Sequence, residues 1–178
     1  MPYFNIVAET SENTVVTEYE PVKKRSDSYQ SEAALEQEFI RLLCEQGYEY
    51  LPIHTEKDLI ANLRMKLEEL NNYQFSDTEW DDFFKNAVAN PNEHIVEKTR
   101  KIQEDNVQVL TRDDGSSKNI TLIDKKNIHN NRLQVISQYV IGTENGAKHD
   151  NRYDVTVLVN GLPLVHIALK RRGVAIRE

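Results

Sequence analysis

Asp154 and Lys170 are the residues of this 178-residue chain whose types and spacing most readily support chemistry. They lie in the stretch Arg152-Tyr-Asp154-Val-Thr-Val-Leu-Val159-Asn-Gly161-Leu-Pro-Leu-Val-His-Ile-Ala168-Leu-Lys170-Arg-Arg-Gly173. A carboxylate opens one alternating apolar run there, and an ammonium closes the next. Metal-dependent phosphodiester hydrolysis asks for such groups: hard oxygen ligands hold Mg²⁺ against a phosphate oxygen, and a further group orients the attacking water and steadies the developing charge. Asp154 suits the first task and Lys170 the second.

Other chemistries lack their parts. A single cysteine, Cys44, and five scattered histidines (His54, His94, His129, His149, His166) provide neither paired cysteines nor an HExxH helix for zinc. The Gly142 to Lys148 segment fails as a phosphate-binding loop, which needs four residues between its glycines and a lysine directly after the second. No G-x-S-x-G elbow occurs, and Cys44 falls in a helical pattern without an evident histidine partner. The lone cysteine, and the want of an apolar run near the ~18 residues a bilayer span needs, lead to the expectation of a soluble, cytoplasmic protein without a membrane anchor. The net charge of -7 argues against a surface that wraps nucleic acid all round. From Arg132 to Glu178, however, the chain carries +3, leaving -10 for the rest. That asymmetry is compatible with a local DNA-contacting face and equally with an ordinary solvated surface.

The elements that must position these groups come in two kinds. Residues 1–30 read as an irregular lead-in with one short strand around Thr14 to Tyr19. Ser31 can cap a helix running to about Gln46, with Leu35, Phe39, Leu42 and Leu43 on one face and Gly47 as its stop. Thr55 can cap a second helix striped by Leu59, Leu63, Leu67 and Leu70. Ser76 and Glu79 form a capping box for a third over 77–89, which carries Trp80, Phe83, Phe84 and Val88. Asn90, Pro91 and Glu93 suit the start of a fourth, turning Ile95, Val96 and Ile102 inward. Beyond Asn106 the period falls to 2, giving strands over 107–111, 119–123, 133–141, 153–159 and 164–170. Asp114-Gly115 and Asn160-Gly161 are hairpin signals. Helices first and strands later suit an α/β or α+β sandwich.

The segment around Asp154 resembles the PD-(D/E)xK nuclease motif as it occurs in the large subunit of type I restriction endonucleases: Asp, thirteen residues, Glu, one residue, Lys. Asp154 and Lys170 fall on matching positions, the Val-Asn-Gly-Leu-Pro-Leu-Val run between them is characteristic of the family, and Arg132-Leu-Gln-Val-Ile-Ser-Gln138 resembles the strand preceding its site. The likeness is loose over 31–173 and close over 131–173. It implies an α/β fold, a restriction-endonuclease-like mixed sheet flanked by helices with an N-terminal helical portion. The nuclease domain would occupy 31–178, mainly helical over 31–106, with the site-bearing sheet over 107–178. It further implies a bacterial or archaeal protein that cuts double-stranded DNA with Mg²⁺, in a complex with modification and specificity subunits. ATP would serve only the motor of the full-length parent.

The chain departs from the family at three points. Ala168 stands at the catalytic and metal-ligating glutamate position, where a methyl group cannot ligate a cation. Tyr153 replaces the proline that shapes the turn into the strand. The chain stops at Glu178, before the helix carrying the family's Gln-x-x-x-Tyr element and before the helicase-like motor, so a fragment is expected. A single Glu-to-Ala exchange reads as inactivation of a working site, since drift would erode Asp154 and Lys170 as well. In the competing reading, a noncatalytic DNA-binding or subunit-docking domain keeps the nuclease fold, with Ala168 packed inward, Asp154 a turn residue and Lys170 a surface charge. Glu36 would approach the metal, as a helix glutamate does in related nucleases, or be a solvated helix charge. Arg171 and Arg172 would contact phosphates or be plain surface charge. His166 alternates with Ala168 and Lys170, so it would share their face, or it would be a satisfied core or edge histidine.

Register decides whether the site can exist. A two-residue loop at Asn160-Gly161 pairs 159 with 162, and an unbroken ladder then pairs Asp154 with 167, throwing 168 and 170 to the opposite face. Chemistry therefore demands a three-residue loop or a bulge between Asp154 and Lys170, with Pro163 near the turn where its missing N–H does little harm.

Overall fold

A computed structural model describes residues 3–9, 15–20, 31–141 and 151–170. Contacts divide the chain into two units, residues 1–30 and 31–178. In the first, β1 (Tyr3–Glu9) pairs antiparallel with β2 (Val15–Glu20), with a bulge between Ile6 and Ala8. The strand expected around Thr14 to Tyr19 is β2. What the sequence read as irregular before it is β1, whose backbone partners come from β2 and not from any local pattern.

The second unit opens on helices whose starts are set by local hydrogen bonds. Ser31 accepts the Ala34 N–H at 3.1 Å ahead of α1 (Glu32–Glu45). Thr55 accepts the Asp58 N–H at 3.1 Å ahead of α2 (Glu56–Asn71), and Asn72, left-handed at φ 46°, closes that helix. Ser76 and Glu79 form the reciprocal box that starts α3 (Asp77–Phe83), which runs on as one π-helical turn, Phe84–Val88. Glu79 also accepts the Tyr73 hydroxyl at 2.8 Å and the Asp113 N–H at 3.1 Å, so one carboxylate ties the helix start to the following hairpin.

The fourth helix corrects the sequence reading. Asn90 does not cap it: its side chain accepts the Asn92 N–H at 3.0 Å and its carbonyl the Glu93 N–H at 3.2 Å, making a separate turn. Asparagine can serve a turn or a cap, and here the turn wins. The helix, α4, runs Ile95–Gln103, with the His94 N–H donating to Glu97 at 3.1 Å. The later start turns Ile95 and Val96 outward, to 77% and 61% exposure, while Ile102 still packs on the core.

Strands β3 (Glu49–Tyr50), β6 (Leu133–Ile141), β7 (Asn151–Val159) and β8 (Leu162–Ile167) form a sheet in the order β3-β6-β7-β8. β3 runs parallel to β6 and the other pairs are antiparallel, so the sheet is mixed. β4 (Val107–Thr111) and β5 (Ser117–Thr121) make a separate hairpin around Asp114-Gly115. The architecture is mixed α/β with a helical first part.

Helix α2 lies between two clusters. Leu63 and Leu67 pack with Phe75, Trp80 and Phe83 and with Leu110 and Ile120 of the small hairpin. Leu59 packs against Ile53, in the segment after β3, and against Ile136 and Leu158 of the mixed sheet. Between these contacts, Asn62 and Gln134 exchange amide hydrogen bonds at 3.0 and 3.2 Å. Such a pair can be buried without loss because each amide satisfies the other.

The β7–β8 turn is seated on the same helix. Val159 pairs with Leu162, leaving a two-residue loop in which Asn160 and Gly161 have φ of 52° and 82°, the positive pair a type I′ turn requires. Asn160 is fully buried, donates to Leu122 O at 3.0 Å and accepts the Arg132 N–H at 2.8 Å. A Cβ on Gly161 would lie 2.6 Å from Leu63 Cα, whereas one on Gly115 would meet nothing within 4 Å. Gly161→Ala is therefore expected to cost roughly 2–5 kcal/mol in denaturant unfolding, from backbone strain plus overpacking. Gly115→Ala should cost only the left-handed penalty of about 1–2 kcal/mol. Equal losses for the two would show that the turn does not rest on α2.

Candidate functional site

The ladder between β7 and β8 carries the irregularity the chemistry demands. Val157 pairs with Val165 but Leu158 with Pro163, so Leu164 is the extra residue of a bulge. The loop has two residues; the bulge restores the register. Thr156 then faces His166 and Val155 faces Ile167, where the β7–β8 ladder ends; Ala168 follows β8 directly, and the Asp154 carboxylate reaches the next peptide N–H, that of Leu169. On the other side of β7, Ser137 pairs with Val155 and Tyr139 with Tyr153, which sets Gln138 across from Asp154. Residues directly opposite share a face. Gln138 and Asp154 thus form one row and Ile136, Thr156 and His166 the row beside it, with Ala168 beyond the end of the ladder.

Asp154 is half-buried, and its Oδ2 accepts the Leu169 N–H at 2.6 Å, holding the segment after β8 against β7. Its Oδ1 makes no hydrogen bond among the described residues. Ala168 is exposed, which contradicts its reading as an inward-packed residue. Lys170 is exposed beyond the end of β8, where the ladder no longer fixes its side, and among the described residues no ion pair joins it to Asp154. The strand expected to carry Lys170 over 164–170 ends at Ile167, and among the described residues the carboxylate and the ammonium do not meet. Arg171 and Arg172 lie outside the described residues.

Glu36 is the buried residue of α1, at 9% exposure, so its reading as a solvated charge fails. Gln138 Nε2 donates to its two carboxylate oxygens at 3.3 and 3.5 Å. Gln138 does so from a left-handed backbone, φ 54°, which costs a non-glycine residue about 1–2 kcal/mol. Sequence reasoning quoted Gln138 only as part of a strand; neither its conformation nor its partner leaves a local signal. Thr156 was missed for the same reason. Its hydroxyl lies 3.0 Å from His166 Nδ1, and Tyr153 stacks on the imidazole with centroids 4.2 Å apart. His166 is an exposed edge histidine across from Thr156, and its partial burial pushes its pKa down.

The arrangement can be tested against Mg²⁺, which binds through oxygen ligands. Among the described residues no group of three or more His, Cys, Asp or Glu side chains is placed to hold a metal ion. Asp154 and Glu36 each already accept an N–H, and the third position holds a methyl group. As it stands, the donor set does not fit the ion.

Residues 29–178 match the family model described as type I restriction enzyme R protein N terminus. The chain belongs to that family. Over 173 residues this R-protein N-terminal domain is 49% identical to the type I restriction enzyme EcoprrI endonuclease subunit of Escherichia coli, covering 97% of the chain and 54% of that relative. It is 37% identical over 155 residues to the SsaAORF53P endonuclease subunit of Staphylococcus saprophyticus, covering 84% of the chain and 16% of the relative. The SauMSSORF170P endonuclease subunit of Staphylococcus aureus gives 36% over 156 residues, with 85% and 16% covered. The chain thus spans about half the first relative and a small part of the other two. No described helix is long and apolar enough to cross a membrane.

The left-handed Gln138 gives the domain a testable signature. Gln138→Ala loses the hydrogen bond and keeps the strain, whereas Gln138→Gly loses the bond and relieves the strain. The glycine variant is expected to be the more stable of the two by about 1 kcal/mol in urea unfolding. An alanine variant as stable as the glycine one or more so would contradict the bend at this position.

Proposed function

We propose that this domain is the DNA-cutting module of a type I restriction endonuclease, of the PD-(D/E)xK kind, in which Ala168 has removed one metal-ligating carboxylate. The observation that carries the reading is the bulge at Leu164, after which β8 sets His166 against Thr156 and the chain leads the exposed Ala168 past the half-buried Asp154, whose Oδ2 accepts the Leu169 N–H, while Glu36 is held by Gln138 of the neighbouring strand. A glutamate at 168 would bring a second carboxylate to the free side of Asp154. Without it the chain keeps the frame of the site but not its ligand set, and Mg²⁺-dependent hydrolysis is expected to be lost.

In this reading the residues divide the work. Asp154 supplies the remaining strand carboxylate, and the Leu169 N–H fixes its orientation while drawing residue 168 toward it. Lys170, two residues on, is free to turn toward a scissile phosphate. Arg171 and Arg172 would follow the DNA backbone. The parent subunit's ATP-driven motor and its modification and specificity partners follow from the family resemblance, and no residue of this chain is assigned to them. A noncatalytic docking domain is the competing function. It accounts for Ala168, but gives no reason for the bulge in β8.

Metal affinity separates the two. In isothermal titration with Mg²⁺ or Mn²⁺, Ala168→Glu should bind at least about tenfold more tightly than the parent chain, a scale reached even by the outer partners of a metal site. Ala168→Gln, which adds size without charge, should gain much less. Identical titrations for parent and Ala168→Glu would favour the docking function. Strong Mg²⁺-dependent nicking of plasmid DNA by the parent chain would refute the role given to position 168.

A further inference from the structure

His166 lies on the edge strand across from Thr156, two residues along β7 from Asp154, and is held more firmly than an exposed edge histidine needs to be. Thr156 beneath it is 1% exposed, and the only hydrogen bond of its hydroxyl among the described residues is the 3.0 Å contact with His166 Nδ1. A buried hydroxyl left without an acceptor is costly, so the Thr156 O–H donates and Nδ1 accepts. The imidazole proton then sits on Nε2. Tyr153 fixes the ring plane by stacking at 4.2 Å, with only 19° between the planes. The result is an exposed ring whose tautomer and plane are both fixed, with the Nε2–H as its remaining donor.

Such a donor has a natural partner in this location. A phosphodiester offers non-bridging oxygens that accept from neutral N–H groups as well as from cations, and contacts of this kind set the position of a duplex on a protein. We propose that His166 is a DNA-positioning residue, which donates its Nε2–H to a backbone phosphate beside the one at Asp154 and is aligned by Thr156 and Tyr153. The inference rests on the nuclease reading, but it concerns binding and needs no metal. The Ala168 chain, expected not to cut, therefore suits the test.

The experiment combines two readouts on the 178-residue chain. Long-range ¹H–¹⁵N spectra of the histidine rings, with His166 assigned from the His166→Ala variant, should show Nε2 protonated and Nδ1 bare. That Nε2–H should shift when a short DNA duplex is added. Fluorescence anisotropy at low salt should show duplex binding weakened about tenfold by His166→Ala, the scale of one hydrogen bond to a charged group. Thr156→Val should weaken it in the same direction and release the tautomer. His166→Ala unpairs the Thr156 hydroxyl and should lower the thermal midpoint by a few degrees; with binding read well below that midpoint, the proposal stays testable even if Thr156→Val fails to fold. A parent chain that binds DNA as well as its His166→Ala variant, or an Nδ1-protonated ring, would overturn the proposal and leave the nuclease reading standing. A parent chain with no affinity for the duplex would overturn both.

Discussion

The close approach of Gly161 to Leu63 fixes the β7–β8 hairpin at its tip, and the position of every side chain at its open end depends on that seat. A turn without a Cβ lets the strand pair reach the backbone of α2, and the buried Asn160 fastens it to β6 and to the segment after β5. With the tip fixed, the register can be adjusted only along the strands. The bulge at Leu164 makes that adjustment, and Pro163, which has no N–H to give to a ladder, stands beside it. Thr156 and His166 then share a face; one residue fewer would part them.

Around this frame stand the residues of the candidate site: β6 carries Gln138, β7 Asp154, the segment after β8 Ala168, and α1 Glu36. The left-handed Gln138 is the costly member of the set, and strain of this sort persists where the surroundings impose it. Here it directs an amide to the buried Glu36 carboxylate.

Much of the scaffold was legible because its signals are local. Ser31, Thr55 and the Ser76–Glu79 box act within one turn of the chain, and each starts a helix in the structure as the sequence indicates. Asn160-Gly161 specifies its turn through the positive φ both residues tolerate. Asn90-Pro91 misled because one asparagine can serve two local purposes, and the loss of that cap carried Ile95 and Val96 outward with it. The bulge was legible only through chemistry: local pattern alone would have closed an unbroken ladder. Glu36, Gln138 and Thr156 could not have been assigned their parts from sequence, since burial of a helix carboxylate, a left-handed strand residue and a hydroxyl beneath an imidazole all depend on segments far apart in the chain.

The most direct test of the account is crystallographic. Crystals of Ala168→Glu soaked in Mn²⁺ would be searched for anomalous density beside residues 138, 154 and 168. The account predicts a peak in contact with the Asp154 carboxylate and the new carboxylate at position 168. Density confined to other parts of the surface, with the two carboxylates turned apart, would contradict it.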